Sequence, residues 1–334
     1  MTHYDLYAIG NALVDSEYEV SDALLQTMGV SKRHMTLVDT PRRAELLGHV
    51  HHVQPRQTGG GSAGNTVVAL AQLGGKAFYS CKVAYDNVGD FYVKDLQAQG
   101  VDTNLTHTRA SEGQTGSCMV LVTPDAERSM CTFLGVSAEL DEAALHPHDI
   151  AKSKIYYMEG YLAASPTGLA AALKGRQVAQ EAGVALALTL SDVSMIQFCK
   201  GGLDAMLGDG VDYLFCNLEE AQVWCGTEDL DAIRASLKKM AKMVCLTRGP
   251  EGSEILTADA SCHVPAEKVK AIDTNGAGDM FAGAFLYAIT RGHSPEQAAS
   301  LGNHAAAAVV SQHGNRLTLG QLSAIKAYAL PPLK

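Results

Sequence analysis

The segment Asp273–Asp279 places two glycines, a small residue between them and a carboxylate directly before an uncharged run from Met280 to Thr290. We predict that a buried helix begins here. Backbone N–H groups at a helix start favour nearby negative charge, and small side chains let a phosphate oxygen approach them. Asp279 would then lie beside a bound phosphoryl group, which is the arrangement that phosphate transfer to an alcohol requires. The residues concerned are Asn275, Gly276, Ala277, Gly278 and Asp279.

A second helix start is predicted at Gly60, Gly61, Ser62 and Asn65. The spacing of Gly59, Gly61 and Gly64 also fits a dinucleotide-binding fingerprint, with Asp86 near the position of a ribose-binding acid. The preceding residues 53–57 are polar and include Pro55, so they do not have the pattern of the buried first strand that such a unit needs. These residues could therefore bind another ligand at the helix start, or they could bind a dinucleotide. The remaining alternative is a helix start with a purely structural role.

Other polar residues follow predicted strands at their carboxyl ends, where the active sites of parallel sheets lie. Asp15 could accept hydrogen bonds from a diol, or it could be an ordinary turn residue. Asn217 and Glu220 share a helix face and could hold a hydrated Mg²⁺, although a helix cap explains them equally well. The remaining candidates are Asn11 beside Asp15, Thr247, Arg248 and Gly249 for a nucleotide, and Arg128 beside a hairpin turn as a phosphate clamp.

The elements that must position these residues alternate regularly between strand and helix from residue 154 onward. This rhythm predicts an α/β fold with a mostly parallel sheet and helices on both faces. The half-buried segments 15–58 and 112–135 lack this strand–helix alternation and are predicted to form a small lid. The expected large domain comprises residues 1–14, 59–111 and 136–334.

The 334 residues carry 26 basic and 36 acidic side chains, a net charge of −10 that argues against nucleic-acid binding. The chain shows neither a signal-peptide pattern nor a long apolar run, so a cytoplasmic protein with no membrane partner is expected. The eight cysteines are scattered, which favours reduced thiols. Two His-rich segments, 49–52 and 146–148, lack companion ligands and are interpreted as surface features.

Taken in order, these motifs resemble those of the PfkB/ribokinase family of carbohydrate and nucleoside kinases over nearly the whole chain. Residues 273–285 are similar to the family's C-terminal signature. Gly60, Gly61 and Asn65 match the N-terminal signature, whereas Val67 and Ala84 stand where the strict pattern has a smaller residue and a glycine. Asn217 and Glu220 are similar to the family's N-x-x-E motif, which is associated with Mg²⁺ and phosphate.

Within the family, two groups of residues are similar to the adenosine-kinase branch. The first comprises Gly10, Asn11, Leu13 and Asp15, and the second comprises residues 115–117, Arg128 and residues 132–135. The resemblance implies a ribokinase-like doubly wound sheet with a small β-sheet lid. It also implies ATP and Mg²⁺ as cofactors and transfer of the γ-phosphoryl group to the 5′-hydroxyl of a ribose-bearing substrate, with adenosine as the expected acceptor. Ribose, fructose or another nucleoside is the alternative acceptor, and a nucleotide sensor on the same fold is the non-catalytic alternative. A monovalent cation and a homodimer formed through the lid stay open.

The resemblance also implies roles for individual residues. Asp279 would accept the hydroxyl proton, and as a carboxylate at a helix start it should remain ionised and be a weak base. The backbone of residues 276–278 would stabilise the transferring phosphoryl group, with Arg128 assisting from the lid. The acceptor would be bound by Asn11, Asp15, Gly60, Gly61, Ser62 and Asn65. The nucleotide would be bound by Asn217, Thr247, Arg248, Gly249, Asn275 and, near the adenine, Asn303, while Glu220 would bind Mg²⁺ through water.

Overall fold

The computed structural model describes residues 3–32, 35–125 and 127–330. The strands are β1 Tyr4–Ile9, β2 Leu13–Glu19, β3 Met35–Leu37, β4 Arg56–Gly60, β5 Ala77–Ser80, β6 Val101–Thr103, β7 Ser117–Val122, β8 Arg128–Phe133, β9 Ser153–Glu159, β10 Ala185–Thr189, β11 Val211–Asn217, β12 Ala241–Thr247, β13 Ser253–Thr257 and β14 Ser261–Val264. The α-helices are α1 Asp22–Thr27, α2 Thr40–Val50, α3 Ser62–Gln72, α4 Asn87–Ala98, α5 Pro147–Ala151, α6 Pro166–Glu181, α7 Val193–Leu207, α8 Leu218–Cys225, α9 Leu230–Leu237, α10 Ala277–Thr290, α11 Pro295–Val310 and α12 Leu319–Ala329.

Nine strands form the large sheet, in the order β14-β13-β12-β11-β10-β9-β1-β5-β6. Pairing is parallel from β12 to β6, and the edge strands β13 and β14 are antiparallel. The chain winds outward in both directions from β1 and β9. The carboxyl ends of these two strands therefore lie at the switch point where doubly wound sheets bind ligands.

Both faces of the large sheet are covered by helices, as the alternating pattern predicts. One core contains buried side chains of α3 and α10, such as Val68 and Phe285. The core on the opposite face contains Leu203 of α7 and Leu214 of β11. Burial on both faces explains why the central strands read as continuous apolar runs.

The small sheet has the order β3-β8-β7-β2-β4. One of its faces packs on α1 and α2 through Tyr18, Leu46 and Leu121. The opposite face carries Asp15, because side chains alternate along a strand. The prediction of a mostly parallel α/β sheet accompanied by a small sheet is confirmed, and the exact domain boundaries stay a prediction.

The strand before α3 is an edge strand of the small sheet, where it pairs antiparallel with β2. It is therefore not the buried parallel strand of a dinucleotide-binding unit. Asp86 instead caps α4, because its Oδ1 accepts the Gly89 N–H at 2.7 Å. This cap also starts α4 at Asn87. No helix in the described ranges combines the length and the apolar character needed to cross a bilayer.

Candidate functional site

Two helix starts meet at the switch point of the large sheet. α10 begins after Gly276, with φ of 77°, and α3 begins after Gly61, with φ of 88°. Both values lie in the left-handed region, which favours glycine. A Cβ at Gly61 would lie 2.1 Å from the Asn11 carbonyl oxygen. At Gly278, in contrast, a Cβ would meet nothing within 4 Å, so the first turn of α10 faces open space.

Asp279 joins these two helix starts. Its Oδ1 accepts a hydrogen bond from Ser62 Oγ at 2.6 Å, and its Oδ2 accepts one from Asn65 Nδ2 at 2.9 Å. Burial raises the pKa of Asp279, while these two donors and the Arg316 charge oppose the rise. The raised pKa makes the carboxylate a stronger proton acceptor than an exposed carboxylate at a helix start would be.

Asp15 extends from β2, and its Oδ2 accepts a hydrogen bond from Asn315 Nδ2 at 2.8 Å. Burial raises the pKa of Asp15 to about 7, and the charges of Asp279 and Asp273 add to the rise. The charges of Arg316 and Arg128 act in the opposite direction.

Glu159, at the carboxyl end of β9, belongs to the same region although it was not among the sequence candidates. It is 1% exposed and accepts hydrogen bonds from the backbone N–H groups of Asn11 at 3.2 Å and Ala63 at 2.8 Å. Burial raises its pKa to about 8. Glu159 thus ties the loop after β1 to the start of α3. The rule that polar residues end parallel strands could have identified it.

Arg128 lies at the start of β8 and forms ion pairs with Glu17 and with Asp273, the latter at 2.6 Å. Asp273 also accepts hydrogen bonds from the backbone N–H groups of Asn275 and Gly314, both at 3.1 Å. The guanidinium is therefore bound to the loop that leads into α10, and its role toward phosphate stays a prediction.

Arg316 is a second residue that the sequence analysis did not identify. Its Nε donates to Asn65 Oδ1 at 3.0 Å, and its Nη1 lies 2.5 Å from Asp95 Oδ2. The segment after α11 that carries Arg316 and Asn315 matches no motif, so only the three-dimensional structure brings it to Asp279 and Asp15.

The predicted nucleotide residues lie at neighbouring strand ends. Asn217 ends β11 and is the register partner of Thr247 at the end of β12. Gly249 adopts φ of 55° in the following turn, and Arg248 forms ion pairs with Glu251 and Glu254.

Asn303 lies on α11 near the same edge of the large sheet, because its partner Val264 pairs with Ser253, which in turn pairs with Thr247. It is buried and donates to the Val264 carbonyl at 2.8 Å. Its proximity to an adenine stays a prediction.

Asn217 and Glu220 form a capping box at the start of α8. The Glu220 carboxylate accepts hydrogen bonds from Asn217 N at 3.1 Å and from Asn217 Nδ2 at 2.7 Å. Burial raises its pKa to about 7, and the Asp279 charge contributes. Within the described residues, no group of three or more His, Cys, Asp and Glu side chains could hold a metal ion. A single carboxylate fits Mg²⁺ that keeps most of its waters.

A cavity of about 410 Å³ opens between the small sheet and residues 312–318. Its lining includes Asp15, Glu17, Arg128, Asn275, Asn315 and Arg316. A second cavity, of about 460 Å³, is lined by Leu37, Thr132 and Leu134.

One cross-strand row of the small sheet links the two cavities. Asp15 pairs with Cys118, Cys118 with Thr132, and Thr132 with Leu37. Residues that pair across strands share a face, so this row lies on the face opposite the core formed with α1 and α2. Leu37 is 61% exposed there, and Met35 in the adjacent row is 47% exposed.

Comparison with known proteins identifies the family of this chain and several similar proteins. The model of the pfkB family carbohydrate kinases matches residues 34–320. The structure of adenosine kinase from Sinorhizobium meliloti is 35% identical, with a TM-score of 0.87 over 97% of this chain and 99% of that one. A probable sugar kinase from Rhizobium etli CFN 42 is also 35% identical, with a TM-score of 0.87 over 99% of this chain and 100% of that one. Ribokinase from Staphylococcus aureus is 25% identical over 86% of this chain and 93% of its own.

The chain belongs to the pfkB family of carbohydrate kinases. It is a phosphotransferase with an alcohol group as acceptor, and kinases of this family use ATP with a divalent metal. The relatives include both nucleoside and sugar kinases, so their names leave the acceptor open.

Proposed function

We propose that this kinase transfers the γ-phosphoryl group of ATP to the 5′-hydroxyl of adenosine. The observation that carries the proposal is the row from Asp15 to Leu37 on the small sheet. It begins at a carboxylate suited to a ribose diol and ends at exposed apolar side chains. Neighbouring strands are about 4.8 Å apart, so three strand spacings span roughly 14 Å, which accommodates a ribose together with a base. The S. meliloti adenosine kinase structure supports the same choice.

A sugar without a base would contact only the Asp15 end of this row. Ribose would leave Leu37 and Met35 without an apolar partner, whereas burial of exposed apolar side chains against a purine favours binding by about 25 cal/mol per Å². The acceptor specificity is therefore proposed to come from the two ends of one row, with the diol at Asp15 and the base near Leu37.

Around the acceptor, Asp15, Asn65 and the Gly61 backbone would hold the ribose, and Asp279 would take the 5′-hydroxyl proton as the new O–P bond forms. First-turn N–H groups of α10 would stabilise the charge on the transferring phosphoryl group, because they have no partner within the helix. The transition state of such transfers is loose, so positioning and late proton acceptance matter more than base strength.

The nucleotide would lie along the ends of β11 and β12, near Asn217 and Thr247. Glu220 would hold Mg²⁺ through water, and the bound metal would neutralise charge on the phosphate oxygens. Dependence on a monovalent cation and a homodimer formed through the small sheet stay predictions.

An acceptor screen tests the proposal. Purified protein with ATP and Mg²⁺ is assayed for ADP formation with adenosine, inosine, guanosine, ribose and fructose, and the phosphorylated position is read by ³¹P NMR. We expect the highest kcat/KM with adenosine and phosphorylation at the 5′ oxygen. A higher kcat/KM with ribose or fructose would assign the protein to the sugar kinases instead, and binding without turnover of any acceptor would favour a nucleotide sensor.

A further inference from the structure

Arg316 connects the segment after α11 to both α3 and α4. Its side chain is 11% exposed, with Nε donating to Asn65 Oδ1 and Nη1 paired with Asp95. Asp95 anchors the guanidinium from the α4 side, so the Nε–H is held against the Asn65 amide. Asn65 in turn donates to Asp279. A continuous chain of hydrogen bonds therefore runs from Asp95 to the Asp279 carboxylate.

The Arg316 contact decides which way the Asn65 amide faces. An asparagine amide has one acceptor oxygen and one donor nitrogen, and a guanidinium can only donate. With the oxygen held by Arg316, only the Nδ2 group can face Asp279. The reverse orientation would place the amide oxygen against a carboxylate oxygen and the amide NH₂ against a cation, so both contacts would be repulsive.

The charge of Arg316 also acts on both acids of the site. It opposes the burial that raises the pKa values of Asp279 and Asp15. Among the other charged groups of the surrounding elements, Arg128 acts on Asp15 in the same direction and Asp273 in the opposite one. Glu159 and Glu220 each interact unfavourably with the Asp279 charge. Arg316 is thus a cation beside a cluster of carboxylates.

We propose that Arg316 is a positioning residue for phosphoryl transfer, which orients the Asn65 amide so that this amide holds Asp279 ionised and aimed at the acceptor hydroxyl. The inference rests on the proposed role of Asp279 as the proton acceptor. In this role Arg316 acts through Asn65.

The test compares Arg316→Met with the wild-type enzyme in kcat for adenosine between pH 5.5 and 9.5. We expect kcat to fall by about 10-fold, the scale of losing one charge-assisted hydrogen bond. The acid limb of the kcat profile should also move to higher pH, because removing the cation raises the pKa of Asp279 further. Arg316→Lys keeps the charge without the planar fork, so its kcat should fall while its acid limb stays near the wild-type position.

Arg291→Met serves as the matched control. Arg291 pairs with Asp5 at the opposite end of the large sheet, so its removal also deletes an Arg–Asp ion pair but should leave kcat and the acid limb unchanged. In an Asp279→Asn background, Arg316→Met should cause no further loss of kcat, because both changes interrupt the same chain of contacts.

An acid limb that does not move in Arg316→Met, or a full additional loss in the Asp279→Asn background, would overturn the inference. If Arg316→Met does not fold, as judged by circular dichroism, Arg316→Lys decides, and wild-type kcat in that variant would overturn the inference. A wild-type protein that phosphorylates no acceptor would refute the proposed function itself. Active wild-type protein together with Arg316 variants of unchanged kcat and pH profile would refute only the inference about Arg316.

Discussion

Arg128 on the small sheet forms an ion pair with Asp273 on the loop before α10, with an N···O distance of 2.6 Å. The same carboxylate accepts the Asn275 N–H and so orders the loop that leads to Asp279. A phosphoryl group at Arg128 would therefore compete with Asp273 and Glu17 for the guanidinium. The ion pair between Arg128 and Asp273 thus links the small sheet to the start of α10, and a phosphoryl group could replace Asp273 as the partner of Arg128.

Closure of the small sheet over its substrates is the first prediction. With adenosine and a non-hydrolysable ATP analogue, amide exchange should slow in peptides covering 13–19 and 117–133, because closure buries this sheet face against the large sheet. Peptides from α6, on the far face of the large sheet, serve as the internal control. Arg128→Met should weaken the protection. Exchange that is identical with and without both ligands would argue against a lid.

The second prediction concerns Asp15 and the ribose diol. Asp15→Asn should lower kcat/KM for adenosine by about 10²-fold or more, and wild-type enzyme should discriminate against 2′-deoxyadenosine on a similar scale, since a buried group left without its partner is costly. Asp204→Asn, a change in an exposed ion pair on α7, should have no effect. Equal use of adenosine and its 2′-deoxy analogue would remove Asp15 from this role.

A pH dependence follows from the raised pKa of Asp15 and is the third prediction. Its carboxyl is protonated in the free enzyme below about pH 7, which removes an acceptor for the diol. We expect kcat/KM for adenosine to rise with pH through about 7, because kcat/KM reports groups of the free enzyme. This limb should be absent in Asp15→Asn. A profile of the same shape in both proteins would assign the limb to another group.

The fourth prediction concerns stability and Glu159. Its folded-state pKa of about 8 lies above the ordinary value of 4.5, so the folded state binds the proton more tightly than the unfolded state does. The free energy of unfolding should therefore fall as pH rises from about 4.5 to about 8. Asp15 and Glu220, whose pKa values are also raised, act in the same direction.

Glu159→Gln tests this prediction by thermal unfolding between pH 5 and 8.5. The variant should be less stable than wild type at pH 5, because one of the two backbone N–H groups loses its acceptor, and this deficit should shrink as pH rises. Glu181→Gln, at an exposed position of α6, should show a constant offset. A deficit that stays constant or grows with pH would contradict the raised pKa of Glu159.

Much of the fold could be predicted from the sequence because strand and helix periodicities are local. The strand β8 lies within the predicted lid segment 112–135, and α3 begins at Ser62, where a helix start is predicted. The antiparallel edge strands β13 and β14 were not predicted. The strand β14 is half-exposed and carries little apolar pattern, and β13 is buried but begins with the polar residues Ser253 and Glu254. The helix α2 was also missed, because its sequence Thr40–Val50 has only two buried side chains.

The site residues that belong to sequence motifs could be predicted. The residues that only the tertiary structure brings to the site could not. The motif residues Ser62 and Asn65 do both contact Asp279. Asn315 and Arg316 approach Asp15 and Asn65 from 300 and 251 positions away, and no local pattern marks them. Spacing alone also could not show that Arg128 pairs with Asp273, because this contact depends on how the small sheet lies against the loop before α10.

The most direct test of the account is the turnover of Asp279→Asn. The central claim is that Asp279 accepts the acceptor's hydroxyl proton, so this nearly isosteric change should leave the fold and ATP binding intact while lowering kcat with adenosine by about 10²-fold or more. Circular dichroism and nucleotide titration establish that the variant is folded and binds. A kcat within a few-fold of wild type would contradict the claim and with it the proposed mechanism.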